Sequence, residues 1–166
     1  MMPADTPPYP GFFQVAYVTR DIDRAQAQFA GTHGIARFLE MRDIRYPTGP
    51  GREAHCHVSL AYVGATEIEI IQPIDGDVAI YVEGLPQAEG PVVRFHHLCR
   101  RFATREAFDA ELDQLQASGR TLPIRGDVDG VGSYYYCDMR NLLGHFVEGI
   151  VFDDGASDWL ASIPRF

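Results

Sequence analysis

The order of strand and helix signals occurs twice along the chain, and this internal repeat constrains the fold more than any single motif. Each copy begins with a short apolar run, continues with an amphipathic helix and ends with three strand-like stretches. The order β-α-β-β-β is therefore expected twice, as a pattern and not as residue identity. Two such modules can place their sheets together as an open cup with the helices outside. We expect an α+β fold in which two βαβββ modules form a cup-shaped mixed or antiparallel sheet.

The first copy begins with the strand-like run 12–18. Asp21 is a good N-cap, and Ile22, Ala25 and Phe29 follow at helical spacing. The helix is expected to end in the glycine-containing stretch 31–34. We predict three further strands at 36–44, 55–63 and 67–72, a loop at 46–52 and a hairpin turn at 64–66.

The second copy repeats these signals. It has a strand at 95–102, an N-cap at Thr104, and a helix marked by Phe108, Leu112 and Leu115. Strands are expected at 121–125, 133–138 and 145–152, with a loop at the mouth of the cup over 126–132. We predict a Pro-rich arm at 1–11 followed by one domain at 12–152. Within this domain, module one covers 12–74 and module two covers 95–152. The connector between them, 75–94, is expected to contain a short helix near 78–83. A tail at 153–166 packs on the body or on a second subunit.

Charge and cysteine content exclude several classes of protein. The chain of 166 residues has 14 Lys+Arg against 23 Asp+Glu, a net charge of −9. It therefore lacks the excess of positive charge that neutralises the phosphates of a nucleic acid. The three cysteines lie far apart and form no C-x-x-C pair, which argues against a disulfide framework or a thiolate zinc site. The N-terminal residues lack the apolar core of a signal peptide, and no apolar run has the length of a membrane span. We expect a cytoplasmic protein with no nucleic-acid or membrane partner.

Four polar side chains occupy strands that should be buried. Gln14 and Glu69 lie on the first and last strands of module one, and His97 and Glu148 lie on the corresponding strands of module two. A buried carboxylate needs a cation, hydrogen-bond donors or water. One imidazole, two carboxylates and one amide oxygen suit a divalent ion such as Zn, Ni, Co, Mn or Mg. The alternative is that all four face solvent on a sheet with one wet side.

Four sequence stretches resemble the vicinal oxygen chelate superfamily, which includes glyoxalase I, methylmalonyl-CoA epimerase, extradiol dioxygenases and bleomycin-resistance proteins. They are 13–23, 68–73, 96–99 and 143–148. The resemblance is nearest to the glyoxalase I and epimerase branch. It implies paired βαβββ modules and a metal site formed by Gln14, Glu69, His97 and Glu148. A glutamine at the first position is similar to the ligand set of one class of glyoxalase I. The resemblance also implies a small-molecule substrate, and we expect a homodimer.

His57 is a further candidate for the site. His55 and His57 share one face of a predicted strand, and epimerase-like members of the superfamily carry a catalytic carboxylate on that strand. This chain has no carboxylate there, although Glu53 lies just upstream. His57 is either a general base near the metal or a hydrogen-bonded strand residue without a catalytic role.

The leading functional hypothesis is a metal-dependent isomerase or lyase of glyoxalase or epimerase type. It would act on a small oxygenated substrate or thioester by proton transfer through a metal-stabilised enolate or enediolate, with Glu148, Glu69 or His57 moving the proton. One alternative is a binding protein of bleomycin-resistance type that sequesters a ligand. An extradiol dioxygenase is less favoured, because Gln14 stands where a second histidine ligand is needed. His96 is not expected to substitute, since neighbouring strand residues point to opposite faces.

Overall fold

Both copies of the predicted repeat fold as βαβββ modules, and their strands form one sheet. The structure is a computed structural model that describes residues 11–166. The predicted Pro-rich arm lies outside the described residues except for Gly11. The elements of the first module are β1 (Phe12–Thr19), α1 (Ile22–His33), β2 (Leu39–Gly49), β3 (Arg52–Val63) and β4 (Thr66–Gly76).

The remaining elements follow in the same order after a short connecting helix. They are α2 (Ala79–Gly84), β5 (Val93–Arg101), α3 (Arg105–Ala117), β6 (Ile124–Val128), β7 (Gly132–Asp138), α4 (Arg140–Leu143), β8 (Phe146–Phe152) and α5 (Ser157–Ser162), the last preceded by a 3-10 turn at Asp154–Ala156. No helix among the described residues is long and apolar enough to cross a membrane.

The eight strands lie in the order β2-β3-β4-β1-β5-β8-β7-β6. The first strands of the two modules, β1 and β5, pair antiparallel at the centre. Each pairs on its other side with the last strand of its own module in parallel: β1 with β4, and β5 with β8. These four strands form the floor of the cup. The predicted mixed-sheet α+β fold is therefore confirmed.

Alternation along the central strands separates a helix-facing side from a cup-facing side. Ile68 and Ile70 of β4 pack with Ile22, Ala25 and Phe29 of α1. The odd-numbered residues of the same strand, from Glu67 to Ile71, line the interior. The helices begin at the predicted caps, where Asp21 accepts from the Arg24 N–H and Thr104 from the Ala107 N–H.

Two predicted loops are shorter than expected. The stretch 46–52 was predicted as a loop, but β2 continues to Gly49 and β3 starts at Arg52, which leaves a tight turn. Pro47 is tolerated because β2 is an edge strand, where one side of the ladder needs no donor. The loop predicted over 126–132 is likewise mostly strand, with β6 ending at Val128 and β7 starting at Gly132.

The rims of the cup approach each other at the two edge strands, β2 and β6. The Tyr134 hydroxyl donates to the Pro47 carbonyl across this gap at 2.7 Å. The Tyr46 and Tyr134 rings meet edge to face, with centroids 6.3 Å apart. The cup is therefore nearly closed.

The C-terminal tail packs on the body of its own chain. Backbone hydrogen bonds join Tyr62 to Pro164 and Phe166, and Ile163 is buried in the core. Trp159 packs at the edge of the same core and reaches the inside of the cup.

Candidate metal centre

Three ionisable side chains meet on the floor of the cup. Nε2 of His97 lies 3.0 Å from Oε2 of Glu148 and 3.3 Å from Oε2 of Glu69. One ligand-type atom from each residue lies within 4.8 Å of the other two. The strand register explains the meeting: His97 and Glu69 both pair with Ala16 of β1, and Glu148 pairs with Cys99, two residues beyond His97.

Gln14 lines the same cavity and has a buried oxygen without a partner. Its Nε2 donates to Oε1 of Glu67 at 2.6 Å, while its Oε1 receives no hydrogen bond. A carboxylate accepts hydrogen bonds, so the amide nitrogen faces Glu67 and the amide oxygen remains free. Gln14, Glu69 and Glu148 thus line one cavity, and His97 lies beneath its floor in contact with both glutamates.

The orphaned oxygens test whether these residues fit a divalent ion. Oε2 of Glu69 is also buried without a hydrogen bond, as is Oε1 of Gln14. Buried polar atoms without partners cost free energy, which a bound cation would recover. The donor set contains one imidazole nitrogen, carboxylate oxygens and one amide oxygen, and this combination fits a divalent ion of borderline or hard character.

The electrostatics of the cluster reflect two carboxylates beside one imidazole. Burial would lower the pKa of His97, but Glu148 and Glu69 outweigh that effect and raise it to about 9. Burial raises the pKa of Glu69, although the nearby His97 opposes the shift. In the metal-free protein the His97 imidazolium therefore donates from Nε2 to Glu148 and forms a close ion pair with Glu69.

His96 fixes the orientation and tautomer of His97. Nε2 of His96 lies 3.0 Å from the Ile80 carbonyl, which can only accept, so this nitrogen carries a hydrogen. Burial lowers the pKa of His96 to about 3, which leaves the ring neutral with a lone pair on Nδ1. Nδ1 of His97 lies 2.9 Å away and must donate to that lone pair. The other nitrogen of His97, Nε2, is thereby directed at the carboxylates.

The expectation that His96 and His97 point to opposite faces is wrong. The register between β1 and β5 shifts at this point, so that Ala16 pairs with His97 and Tyr17 with Phe95. His96 is the extra residue of a β-bulge, which interrupts the alternation of side chains. Both rings consequently contact Tyr136. His96 uses both nitrogens within the protein, so the described residues do not form a two-histidine, one-carboxylate iron site.

His57 lies away from the cluster. It alternates with Val58 and Leu60, which line the cavity, and therefore occupies the opposite face of β3. There its Nδ1 accepts the Asp43 N–H at 3.0 Å. The structure does not bring His57 to the other predicted site residues, because the side-chain period of a strand is two.

Glu67 is a further residue of the site and was not among the predicted ones. It is 2% exposed, lines the cavity and binds the Gln14 amide. Burial raises its pKa to about 7 against the opposing effect of the Gln14 hydrogen bond. The alternation in Glu67-Ile68-Glu69 was the available signal, since it puts both carboxylates on one face.

Above this floor the cup encloses a cavity of about 310 Å³. Its walls come from both modules and from the tail, through Trp159. This volume is at the small end of the range for ligand pockets, and the polar groups converge at one end, as is typical of such sites.

Solved structures with the same fold include methylmalonyl-CoA epimerases. That of Mycobacterium tuberculosis is 14% identical with a TM-score of 0.58, over 95% of this chain and 97% of that chain. A variant of the Streptomyces coelicolor enzyme in complex with 2-nitronate-propionyl-CoA is 12% identical with a TM-score of 0.55, over 86% and 97%. A hypothetical protein from Bacillus halodurans C-125 is 10% identical with a TM-score of 0.55, over 86% and 94%. At these identities the likeness shows the fold alone.

Sequence comparison identifies the family. No curated protein matches the chain. Residues 13–137, most of both modules, match the family described as the Glyoxalase/Bleomycin resistance protein/Dioxygenase superfamily. The paired βαβββ modules and the cup agree with this match. The chain belongs to the glyoxalase/bleomycin resistance protein/dioxygenase superfamily.

Proposed function

We propose that this protein is a divalent-metal-dependent isomerase or lyase that moves a proton on a small oxygenated substrate. The observation that carries the proposal is the cluster of Glu69, His97 and Glu148 at the polar end of an otherwise apolar cavity. Solvent-exposed strand residues would not be expected to converge in this way, and the side chains of these three residues are at most 14% exposed.

The residues that would hold the ion are Glu69, His97 and Glu148, with Oε1 of Gln14 as a fourth donor. When bound, a divalent ion would polarise a substrate carbonyl and make the neighbouring C–H more acidic. The walls around this end of the cavity are apolar, and a substrate bound against them would displace water and strengthen electrostatic interactions with the reacting atoms.

A carboxylate of the cluster would move the proton. Glu148 and Glu69 both line the cavity and can reach a substrate seated on the floor. One of them accepts the proton from the substrate carbon, and the C–H electron pair stays on the substrate as an enolate. Return of the proton to the same carbon gives epimerisation, and return to the neighbouring carbon gives isomerisation.

Metal content is the first test of this proposal. Protein purified without added metal, and then incubated with Zn²⁺, Ni²⁺, Co²⁺, Mn²⁺ or Mg²⁺ and desalted, is analysed for bound elements. We expect one divalent ion per chain, and loss of most of it in Glu148→Ala. Glu89→Ala, which removes an exposed carboxylate, is the matched control and should keep the ion. Absence of metal from the wild-type protein would reject the proposal and favour a ligand-sequestering role.

Hydrogen exchange tests the proton transfer itself. The metal-loaded protein is incubated with hydroxyacetone in D₂O, and deuterium at the carbon beside the carbonyl is followed by NMR. We expect catalysed exchange in the wild type and a drop of about 100-fold or more in Glu148→Gln, in line with the usual contribution of a general base. Unchanged exchange in a variant that still binds metal would remove Glu148 from the proton-transfer role.

A further inference from the structure

We propose that the substrate is an uncharged molecule with its oxygens at one end and a compact aromatic or branched-alkyl body at the other. This inference rests on the proposed function and specifies the class of substrate for the same site. It differs from the CoA thioesters named for the structural neighbours, which are anionic.

The lining of the cavity is divided sharply by polarity. The polar side chains Gln14, Glu67, Glu69 and Glu148 all belong to the central strands of the floor. The walls are aliphatic or aromatic and include Met41, Ile44, Val58, Leu60, Ile150 and Trp159. A ligand that satisfies both parts has its oxygens at one end only.

Two of the three described tyrosines that line the cavity add ring surface more than hydrogen-bonding capacity. The Tyr134 hydroxyl donates to the Pro47 carbonyl, and the Tyr46 hydroxyl pairs with Sγ of Cys56 at 3.5 Å. Both hydroxyls are therefore engaged with protein atoms, and their rings face the cavity. Aromatic faces of this kind contact an apolar body well.

Charge balance favours an uncharged substrate. The carboxylates of Glu69 and Glu148 together offset a divalent ion, so a loaded centre has no excess positive charge. Glu67 adds a further carboxylate to the same floor. An anionic group would be buried beside these groups, which is costly without a cation.

The one cation among the described lining residues is already paired. Arg45 lies 3.1 Å from the carboxylate of Glu53 and 3.4 Å from that of Asp75, and its side chain is 48% exposed. Its charge is thus paired on the edge strand β2, away from the central strands of the floor. A carboxylate or phosphate inside the cavity would have no free guanidinium to bind.

Three matched probes test this assignment on the metal-loaded protein. 2-Hydroxyacetophenone is an uncharged hydroxyketone with an aromatic body, hydroxyacetone has the same oxygens without the ring, and phenylglyoxylate has the ring with a carboxylate. Binding is measured by calorimetry and by the fluorescence of Trp159, the single tryptophan of the chain, which lines the cavity. Metal content is measured on the same samples.

We expect 2-hydroxyacetophenone to bind on the order of tenfold to a hundredfold more tightly than hydroxyacetone, because the ring is buried against apolar walls. It should also bind more tightly than phenylglyoxylate. Equal or tighter binding of phenylglyoxylate by metal-loaded protein, or no gain from the ring, would overturn the substrate class while leaving the proposed function intact. A protein that takes up no metal would instead contradict the proposed function, and the substrate class with it.

Two substitutions connect the preference to the wall. Val58→Phe and Ile44→Phe each place a ring in the cavity and should abolish most of the gain from the phenyl group without lowering metal content. Val58 is buried in the core and Ile44 lies on the edge strand, so the second variant is the safer one for folding. Leu142→Phe, at an exposed leucine, is the control and should keep the wild-type preference. An unchanged preference in both cavity variants would contradict the proposal.

Discussion

His97 is held from both sides, and this determines which of its nitrogens faces the candidate metal site. The Ile80 carbonyl fixes His96, and His96 in turn accepts from Nδ1 of His97. The remaining nitrogen faces Glu69 and Glu148. Hydrogen-bond partners of this kind orient a metal-binding histidine and set its tautomer. Their loss usually weakens metal binding by tenfold to a hundredfold.

Substitution of His96 should therefore weaken metal binding without removing a ligand. In His96→Leu the Nδ1–H of His97 loses its acceptor, and we expect Zn²⁺ affinity to fall by about 10- to 100-fold. In His96→Gln the amide can still accept from His97 and donate to Ile80, so the loss should be smaller. Affinity is measured by competition with a chelator, and thermal melting shows whether each variant is folded. Equal losses in the two variants would show that only packing matters at this position.

The buried Glu67 makes the stability of the metal-free protein depend on pH. Its pKa rises from 4.5 to about 7 on folding, so the folded protein binds this proton more tightly than the unfolded chain does. The resulting stabilisation, at most about 3 kcal/mol for this shift, is complete below pH 4.5 and is lost as the pH rises through 7. His97, with a pKa raised from 6.5 to about 9, loses its stabilisation in a higher window, between those two values.

Thermal unfolding of metal-free protein across pH 5 to 9.5 tests both windows. We expect the melting temperature to fall as the pH rises. Glu67→Gln keeps an acceptor for the Gln14 amide but carries no titrating group, so it should flatten the decline up to about pH 7 and leave the higher decline in place. A variant that retains the full decline in the lower window would show that Glu67 is not its source.

At the level of strands and helices, the sequence predicted the type of each element well but did not predict irregularities within the strands. Asp21 and Thr104 marked both long helices because a cap is a local signal. The bulge at His96 has no such signal, since it depends on how β5 pairs with a strand far away in the chain. The sequence also did not determine which face of β3 carries His57, because the alternation of side chains does not show which face of the strand points to the interior.

The tail is an element whose packing can be tested directly. Ile163 is 2% exposed and belongs to the same core cluster as Leu60 and Tyr62. We expect Ile163→Ala to lower the free energy of unfolding by about 2–5 kcal/mol, through lost burial and the cavity left behind. Leu142→Ala, at a leucine that is 61% exposed, should change it by less than about 0.5 kcal/mol. Urea unfolding measures both, and similar values for the two variants would mean that the tail does not stabilise the body.

Across the whole molecule, the repeat predicted the cup and the pairing of ligand positions, but not how far the cup closes. Gln14, Glu69, His97 and Glu148 could be grouped because each occupies an equivalent strand of its module. The closure between β2 and β6 depends on contacts between segments far apart in the chain, such as the hydrogen bond from Tyr134 of β7 to Pro47 of β2, 87 residues away. A pattern within one module does not contain that information.

Gly126 permits this closure, because the backbone of β6 passes close to β2 there. A Cβ on Gly126 would collide with the Pro47 carbonyl and with the Tyr134 ring, both of which belong to the contact that joins the rims. We expect Gly126→Ala to force the rims apart and to lower the free energy of unfolding by about 1–3 kcal/mol, as overpacking does elsewhere.

Gly31→Ala provides a control with the opposite sign. Gly31 lies inside α1, where an added Cβ has nothing within 4 Å, so alanine should stabilise the protein by up to about 1 kcal/mol through helix propensity. Urea unfolding compares the two variants, and fluorescence of Trp159 reports on the interior of the cup. Wild-type stability and unchanged fluorescence in Gly126→Ala would show that the rims can move apart at little cost in free energy. The nearly closed cup would then not limit the size of the substrate.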